Sequence, residues 1–184
     1  MYPFLKLTLT FVKAMVRPKL KLEDKSVLGL RTGFTDTDMF MELNNARYFT
    51  YMELGRWDFA YRAGFISLMK KYKWGIALGG ASVRFRRRIP FPGKFTLTTQ
   101  LICHDGRWFY FLQETHRKNK ICSSGLIKIG ITSKNELIPA TDVLAKIDRA
   151  DWGADVPDWV NAWIEAEGQR PWPKNKKDTH QKVT

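Results

Sequence analysis

At 184 residues the chain suffices for one domain with a single core, and its 44% hydrophobic and 14% aromatic content excludes an intrinsically disordered protein. With 31 Lys and Arg against 18 Asp and Glu, the formal charge of +13 favours an anionic partner. Two cysteines, Cys103 and Cys122, without metal-ligand spacing argue against a disulfide framework or a structural metal, and fit a reducing, cytoplasmic setting.

From the N-terminus, Lys6, Thr10, Lys13 and Arg17 recur at helical spacing as one polar stripe on an otherwise apolar rod. The run is too short and too charged to span a bilayer, and it lacks the unbroken apolar region and cleavage site of a secretory signal. Two readings stay open. Residues 3–17 make a peripheral membrane contact with their lysines reaching toward headgroups, or the helix packs on the domain or across a dimer.

Residues 26–36 read as extended. Residues 44–64 read as a helix opened by asparagines suited to capping and closed at Gly64. Tyr48, Phe49, Met52, Trp57, Phe59, Ala60 and Ala63 cover more than half of its circumference, so it is expected to be enclosed. Asp58 and Arg62 fall on the remaining arc, where an exposed ion pair is expected. Glu53 and Arg56 fall inside the apolar arc and are expected to satisfy each other, or else one of them faces a polar cavity.

Four extended runs follow, at 80–89, 95–103, 107–117 and 120–131. They are punctuated by Pro90, Pro92 and Gly93, by His104-Asp105-Gly106 and by Lys118-Asn119, which predicts an antiparallel meander. Arg84, Arg86, Arg87, Arg88 and Lys94 crowd around the first break with no acid among them. Strand alternation would put Arg84, Arg86 and Arg88 on one face, where arginines can clamp phosphate. Zinc-finger, RNA-binding and basic-zipper patterns are missing, so nucleic acid is not an expected partner. A last helix is expected over 157–168, followed by a basic tail. The organisation read this way is an amphipathic segment at 1–25, a domain at 26–145, and a C-terminal helix and tail at 146–184. An α+β fold is expected, with an antiparallel sheet wrapped around a long central helix and its open edge favouring a homodimer.

The string DTDMFMELNNARY, residues 36–48, puts Asp36, Asp38 and Glu42 just ahead of that helix. Carboxylates at a helix start are stabilising in their own right. The same place also presents free amides that can receive a developing oxyanion, while a carboxylate attacks a carbonyl or activates water. Ester or thioester cleavage needs that combination.

At these residues the chain resembles the hot-dog-fold thioesterases of the 4-hydroxybenzoyl-CoA thioesterase-like superfamily, and within it the branch of thioesterase superfamily member six. The resemblance rests on Asp36-Thr37-Asp38, Asn44-Asn45, and the helix residues Tyr48, Tyr51, Glu53 and Arg56, and it covers residues 26 to 145. It implies a hot-dog fold and an acyl-CoA bound at a seam between subunits of a homodimer or tetramer. No cofactor is implied beyond the coenzyme A of the substrate. It further implies that Asp38 is the nucleophile or general base, that Asp36 is structural, and that the backbone amide at Asn45 polarises the thioester carbonyl. Arg86 or Arg88 would contact the phosphates of coenzyme A. Glu42 stands where many relatives carry histidine and is a substitute base, and Phe40 stands where acyl-carrier-protein thioesterases of this fold carry asparagine. These two departures keep an alternative open, a catalytically inactive acyl-CoA or lipid-binding protein.

Overall fold

The computed structural model describes residues 4–134 and 136–171. The basic tail expected beyond these lies outside them from residue 172 onward. The elements run α1 (Phe4–Met15), β1 (Ser26–Arg31), a single 3-10 turn (Phe34–Asp36), α2 (Asn45–Arg62) and α3 (Phe65–Tyr72). They continue with β2 (Gly75–Phe85), β3 (Lys94–His104), β4 (Phe109–Arg117), β5 (Lys120–Ser133), β6 (Glu136–Ile138), α4 (Ala140–Ala145) and α5 (Asp158–Gln169). The chain divides into two units, residues 1–154 and 155–184. Of the second unit the structure describes α5, opened by Pro157 at its N-cap.

The sheet order is β1-β3-β4-β5-β2, antiparallel throughout, with β6 added to the end of β5. Only β3, β4 and β5 form the expected meander. The first of the four runs does not pair with its successor: β2 lies beside β5, with Phe85 opposite Ser123 and Ile76 opposite Ile131. Residues 86–93 carry the chain away from β2 to β3. Ile89 is buried in this crossing, and Leu43 donates its amide to the Ile89 carbonyl at 2.8 Å, so the segment is packed beneath the domain rather than turned as a hairpin.

α2 forms where expected because both ends are satisfied locally. The Asn44 side chain accepts the Ala46 amide at 2.9 Å, and Gly64, at φ 85°, takes the left-handed turn that ends it. Its buried residues feed two clusters. Met52 and Phe59 pack with Leu97, Leu101, Phe111 and Ile127, while Tyr48, Tyr51 and Leu54 pack with Leu43, Ile89 and Phe95. Each such large apolar side chain contributes about 1.5–3 kcal/mol on burial. Phe49, assigned to the apolar arc from sequence, is instead 41% exposed.

The helix also shows why Asp58 and Arg62 were misplaced as a surface pair. α1 and β1 close over that arc, and both residues are buried. Asp58 accepts from Arg62 at 3.2 Å, from Arg17 at 3.2 Å and from the Ser26 hydroxyl, so three segments meet on one carboxylate. A helical wheel sees only its own helix and cannot register such a cover.

Candidate active site

The chain leaves β1 and makes the 3-10 turn, and Asp36 at its end turns inward. Asp36 accepts from the Tyr51 hydroxyl at 2.6 Å and from the Gly33 amide at 3.1 Å, and it pairs with Lys6 of α1. Burial opposes ionisation of Asp36, yet the hydrogen bonds from Lys6 and Tyr51 outweigh it and hold the carboxyl below its ordinary range. Burial and the Asp36 charge push the Tyr51 hydroxyl well above the usual tyrosine range, so it stays a donor. With every approach occupied by protein groups, Asp36 has the environment of a structural carboxylate.

Two residues on, Asp38 sits at the base of a tight loop. Its amide donates to the Glu42 carbonyl at 3.0 Å, and its Oδ1 accepts from Phe40 at 2.9 Å and from Glu42 at 3.4 Å. The loop crest exposes Met39, Phe40 and Met41, and Met41 adopts a φ of 57°. Among the described residues no hydrogen-bond donor is found for Asp38 Oδ2. The returning strand of the loop lies between two others: Thr37 bridges to Leu43, and Glu42 bridges to Pro90. It then enters α2 directly. Ala46 is taken by the Asn44 side chain and Arg47 by the Asn44 carbonyl, which leaves the Asn45 amide without a protein partner among the described residues.

The Glu42 to Pro90 bridge also sets Arg88 next to Glu42, with Nε and Oε2 3.9 Å apart. Asp38, Glu42, Asn45 and Arg88 therefore come together around one loop and one helix start. Arg86 does not join them. β2 ends at Phe85, and the amides of both Arg86 and Arg87 donate to the Cys122 carbonyl, at 2.7 and 3.0 Å. The alternation that was expected to align Arg84, Arg86 and Arg88 thus stops short of the last two.

Glu53 and Arg56 each have a hydrogen-bonded partner besides any contact with one another. Arg56 donates to Gln113 of β4 at 2.7 Å, and Glu53 accepts from the Trp57 ring nitrogen at 3.4 Å. Both border a cavity of about 280 Å³ whose remaining wall is apolar, including Phe59, Leu101, Phe109 and Phe111. A second cavity, of about 610 Å³, opens between α1, β1 and β3. Neither contains Asp38, Glu42 or Asn45.

The curled antiparallel sheet around α2, with an acidic loop delivered to the helix start, defines a hot-dog protein. The sequence profile of the Thioesterase-like superfamily matches residues 32–164, and the chain belongs to that superfamily, whose class of activity is thioester hydrolysis. It is 28% identical over 160 residues to Protein THEM6 of Drosophila melanogaster, covering 85% of this chain and 80% of that protein. To Protein THEM6 of Danio rerio it is 26% identical over 141 residues, covering 73% and 67%. Among solved structures, a DHNA-CoA thioesterase from Staphylococcus aureus aligns with a TM-score of 0.62 at 17% identity, over 80% of this chain and 97% of that one. A probable thioesterase, YbaW, from Escherichia coli aligns at 0.61 and 17%, over 67% and 97%. The segment holding α1 and all of β1 precedes the superfamily match.

Proposed function

We propose that the chain hydrolyses an acyl-CoA thioester to a carboxylic acid and free coenzyme A, with Asp38 as nucleophile or general base and the Asn45 amide polarising the carbonyl. One observation carries this reading: among the described residues the loop clamps Asp38 through Oδ1 while Oδ2 is left without a donor, immediately ahead of a helix start whose first amide is also unclaimed. As a base, Asp38 takes a proton from water, the hydroxide adds to the thioester carbon, and the oxyanion gathers at the Asn45 amide. The carbon–sulfur bond then breaks, and the thiolate leaves and is protonated as free coenzyme A. Glu42 is a second carboxylate at the same loop, available to that water. Arg88, 78% exposed at the side chain and shared among the described residues only with Glu42, is placed to receive a phosphate of coenzyme A, with Arg86 as a further cation on the same crossing segment.

A homodimer completes the site. β2 is an edge strand of eleven residues whose outer side is unpaired among the described residues, and Ile76, Leu78 and Phe85 on it are exposed. Pairing of two copies along β2 would cover that edge and bring a second wall to the substrate. That wall would add to the surroundings of Asp38, which lines neither of the two cavities described above.

The second reading, binding without turnover, is favoured by Phe40, which is exposed on the loop crest and offers no polar group to water there. Measurement of free-thiol release across acyl-CoA chain lengths separates the two, run on the parent and on Asp38→Asn with coenzyme A binding followed in parallel. Turnover in the parent that collapses in Asp38→Asn with binding retained is expected. Binding without turnover in both selects the second reading, and turnover unchanged in Asp38→Asn removes Asp38 from the mechanism.

A further inference from the structure

α1 lays most of its polar stripe on the domain together with Leu7, Phe11 and Ala14, and leaves a further apolar face uncovered. Its polar stripe faces the domain: Lys6 binds Asp36 and Tyr51, Thr10 is buried, and Arg17, just past the helix end, reaches Asp58 and the Val27 carbonyl. Phe11 packs against the rings of Trp57 and Tyr61. A second set of apolar residues, with Val16 just past the helix end, faces outward. Leu5, Leu9, Val12, Met15 and Val16 are all exposed, Leu5 at 74% and Val16 at 83%. At 100° per residue these five occupy an arc of about 120°, along a helix about 18 Å long. No helix among the described residues is long and apolar enough to cross a membrane.

Along one flank of this stripe runs the larger cavity, a groove of about 610 Å³, and Leu9 belongs to both. Six cations line it: Lys6 and Lys13 of α1, Arg31 of β1, Lys94 of β3, and Arg117 and Lys118 at the turn between β4 and β5. No carboxylate is among its lining residues. Lys6 is committed to Asp36, whereas Lys13, Arg31, Lys94 and Lys118 are exposed. Leu30, Leu54 and Phe95 supply its apolar lining, and Tyr51 borders it as well. An apolar helix face edged by a cationic groove offers hydrocarbon contact and anion contact side by side, in the order in which a lipid presents its chains and its phosphate.

We propose that α1 docks on a membrane surface carrying anionic phospholipid, with Leu5, Leu9, Val12, Met15 and Val16 entering the acyl boundary and the adjacent groove seating a headgroup phosphate. This differs from the snorkelling expected from sequence. Two of the stripe cations are spent on the domain, and the headgroup contacts come from Lys13 together with Arg31, Lys94 and Lys118, three residues far from α1 in sequence. The charge complementarity of the groove selects this occupant over a second copy of the same basic chain. The site is independent of Asp38 and stands or falls separately from the hydrolytic reading.

Flotation of the full chain with phosphatidylcholine vesicles, with and without phosphatidic acid, tests it. Binding is expected only with phosphatidic acid and is expected to weaken as salt is raised. Lys13→Gln and Lys118→Gln should each lower the affinity about fivefold, the worth of one cation near an anionic surface. Leu5→Ser with Val12→Ser and Val16→Ser should abolish binding, with the melting temperature of every variant unchanged because all five side chains are exposed. Equal, salt-insensitive binding to phosphatidylcholine alone would overturn the headgroup site, as would binding that neither set of substitutions weakens. No flotation in either composition would overturn the whole proposal. A parent chain that sediments as a larger assembly than the triple serine variant would show the stripe to be a protein interface. Glycerol 3-phosphate bound in solution as tightly as the vesicles would assign the groove to a free phosphate ester and overturn the membrane occupant.

Discussion

Asp38 and Glu42 close the acidic loop on each other: the Asp38 amide donates to the Glu42 carbonyl at 3.0 Å, and the Glu42 amide points back at Asp38 Oδ1 from 3.4 Å. The side chain of Asp38 thus has two separable duties, since Oδ1 holds the loop while Oδ2 has no donor among the described residues. Asp38→Asn keeps an oxygen that can accept from Phe40, whereas Asp38→Ala removes the acceptor. The alanine variant should lose about 1 kcal/mol of stability and the asparagine variant less than half of that. Both should lose about 10²–10⁴-fold in kcat for thioester cleavage. Chemical denaturation alongside single-turnover assays reads the two duties apart. An asparagine variant as unstable as the alanine one would show that the Phe40 and Glu42 contacts do not need the side-chain oxygen.

Arg88 projects from the crossing segment with, among the described residues, Glu42 as its one ion-pair partner, so a phosphate can engage it without breaking a buried pair. Arg88→Ala should raise KM for acyl-CoA about fivefold, the worth of about 1 kcal/mol for an exposed charge contact, and leave kcat unchanged. The effect should shrink at high salt. Steady-state kinetics at two ionic strengths measure it, and a fall in kcat at constant KM would place Arg88 on the reacting carbonyl instead.

The parts of the fold carried by local chemistry were legible in the sequence. Asn44 and Gly64 bound α2, and the corner at His104-Asp105-Gly106 separates β3 from β4, where Asp105 accepts from the amides of Arg107 and Trp108 at 2.9 and 2.6 Å. What depended on distant partners was not legible. Nothing in residues 75–85 says that they pair with 123–132 rather than with the strand that follows them, because both pairings satisfy the same alternation. The site divides along the same line. Asp38, Glu42 and Asn45 sit in one contiguous string and were readable together, whereas the approach of Arg88 to Glu42 depends on the Glu42 to Pro90 bridge. The hub at Asp58 depends on α1 and β1, and the inward turn of Lys6 depends on a carboxylate thirty residues away.

Asp36 ties α1 to the domain, and its ionisation is therefore linked to stability. Its folded pKa lies below the ordinary value of 3.8, so the folded state binds its proton less readily than the unfolded chain does. The stabilisation is complete above about pH 5, begins to fall as the pH drops toward the unfolded pKa of about 3.9, and is lost below the folded one. Asp36→Asn should cost about 2–3 kcal/mol at neutral pH by removing the charge that Lys6 pairs with and leaving one neutral oxygen for the donors of Lys6, Tyr51 and Gly33, and should flatten the acid limb of the stability curve. Urea titrations of parent and variant between pH 3 and pH 7 would show this, and parallel curves would mean that Asp36 does not titrate with folding.

Gly55 faces the sheet at the closest approach of α2, where a Cβ would lie 2.7 Å from Leu97 Cδ2, 3.0 Å from Gln113 Nε2 and closer still to the Thr99 hydroxyl. Helix propensity alone predicts that Gly55→Ala stabilises by about 1 kcal/mol. Packing opposes it, because Thr99 and Gln113 are fully buried and hydrogen-bonded to each other at 2.8 Å, and Gln113 also holds the Met52 carbonyl at 2.8 Å and Arg56 at 2.7 Å. A methyl group there must push α2 off β3 and β4 or break that network, a displacement that costs about 1–3 kcal/mol. The packing term is the larger, so the variant should melt at a lower temperature than the parent. Because Arg56 borders the smaller cavity, the same variant should also change the environment of the neighbouring Trp57, read as a shift in tryptophan emission. A Gly55→Ala protein more stable than the parent would show that α2 can move away from the sheet at little cost.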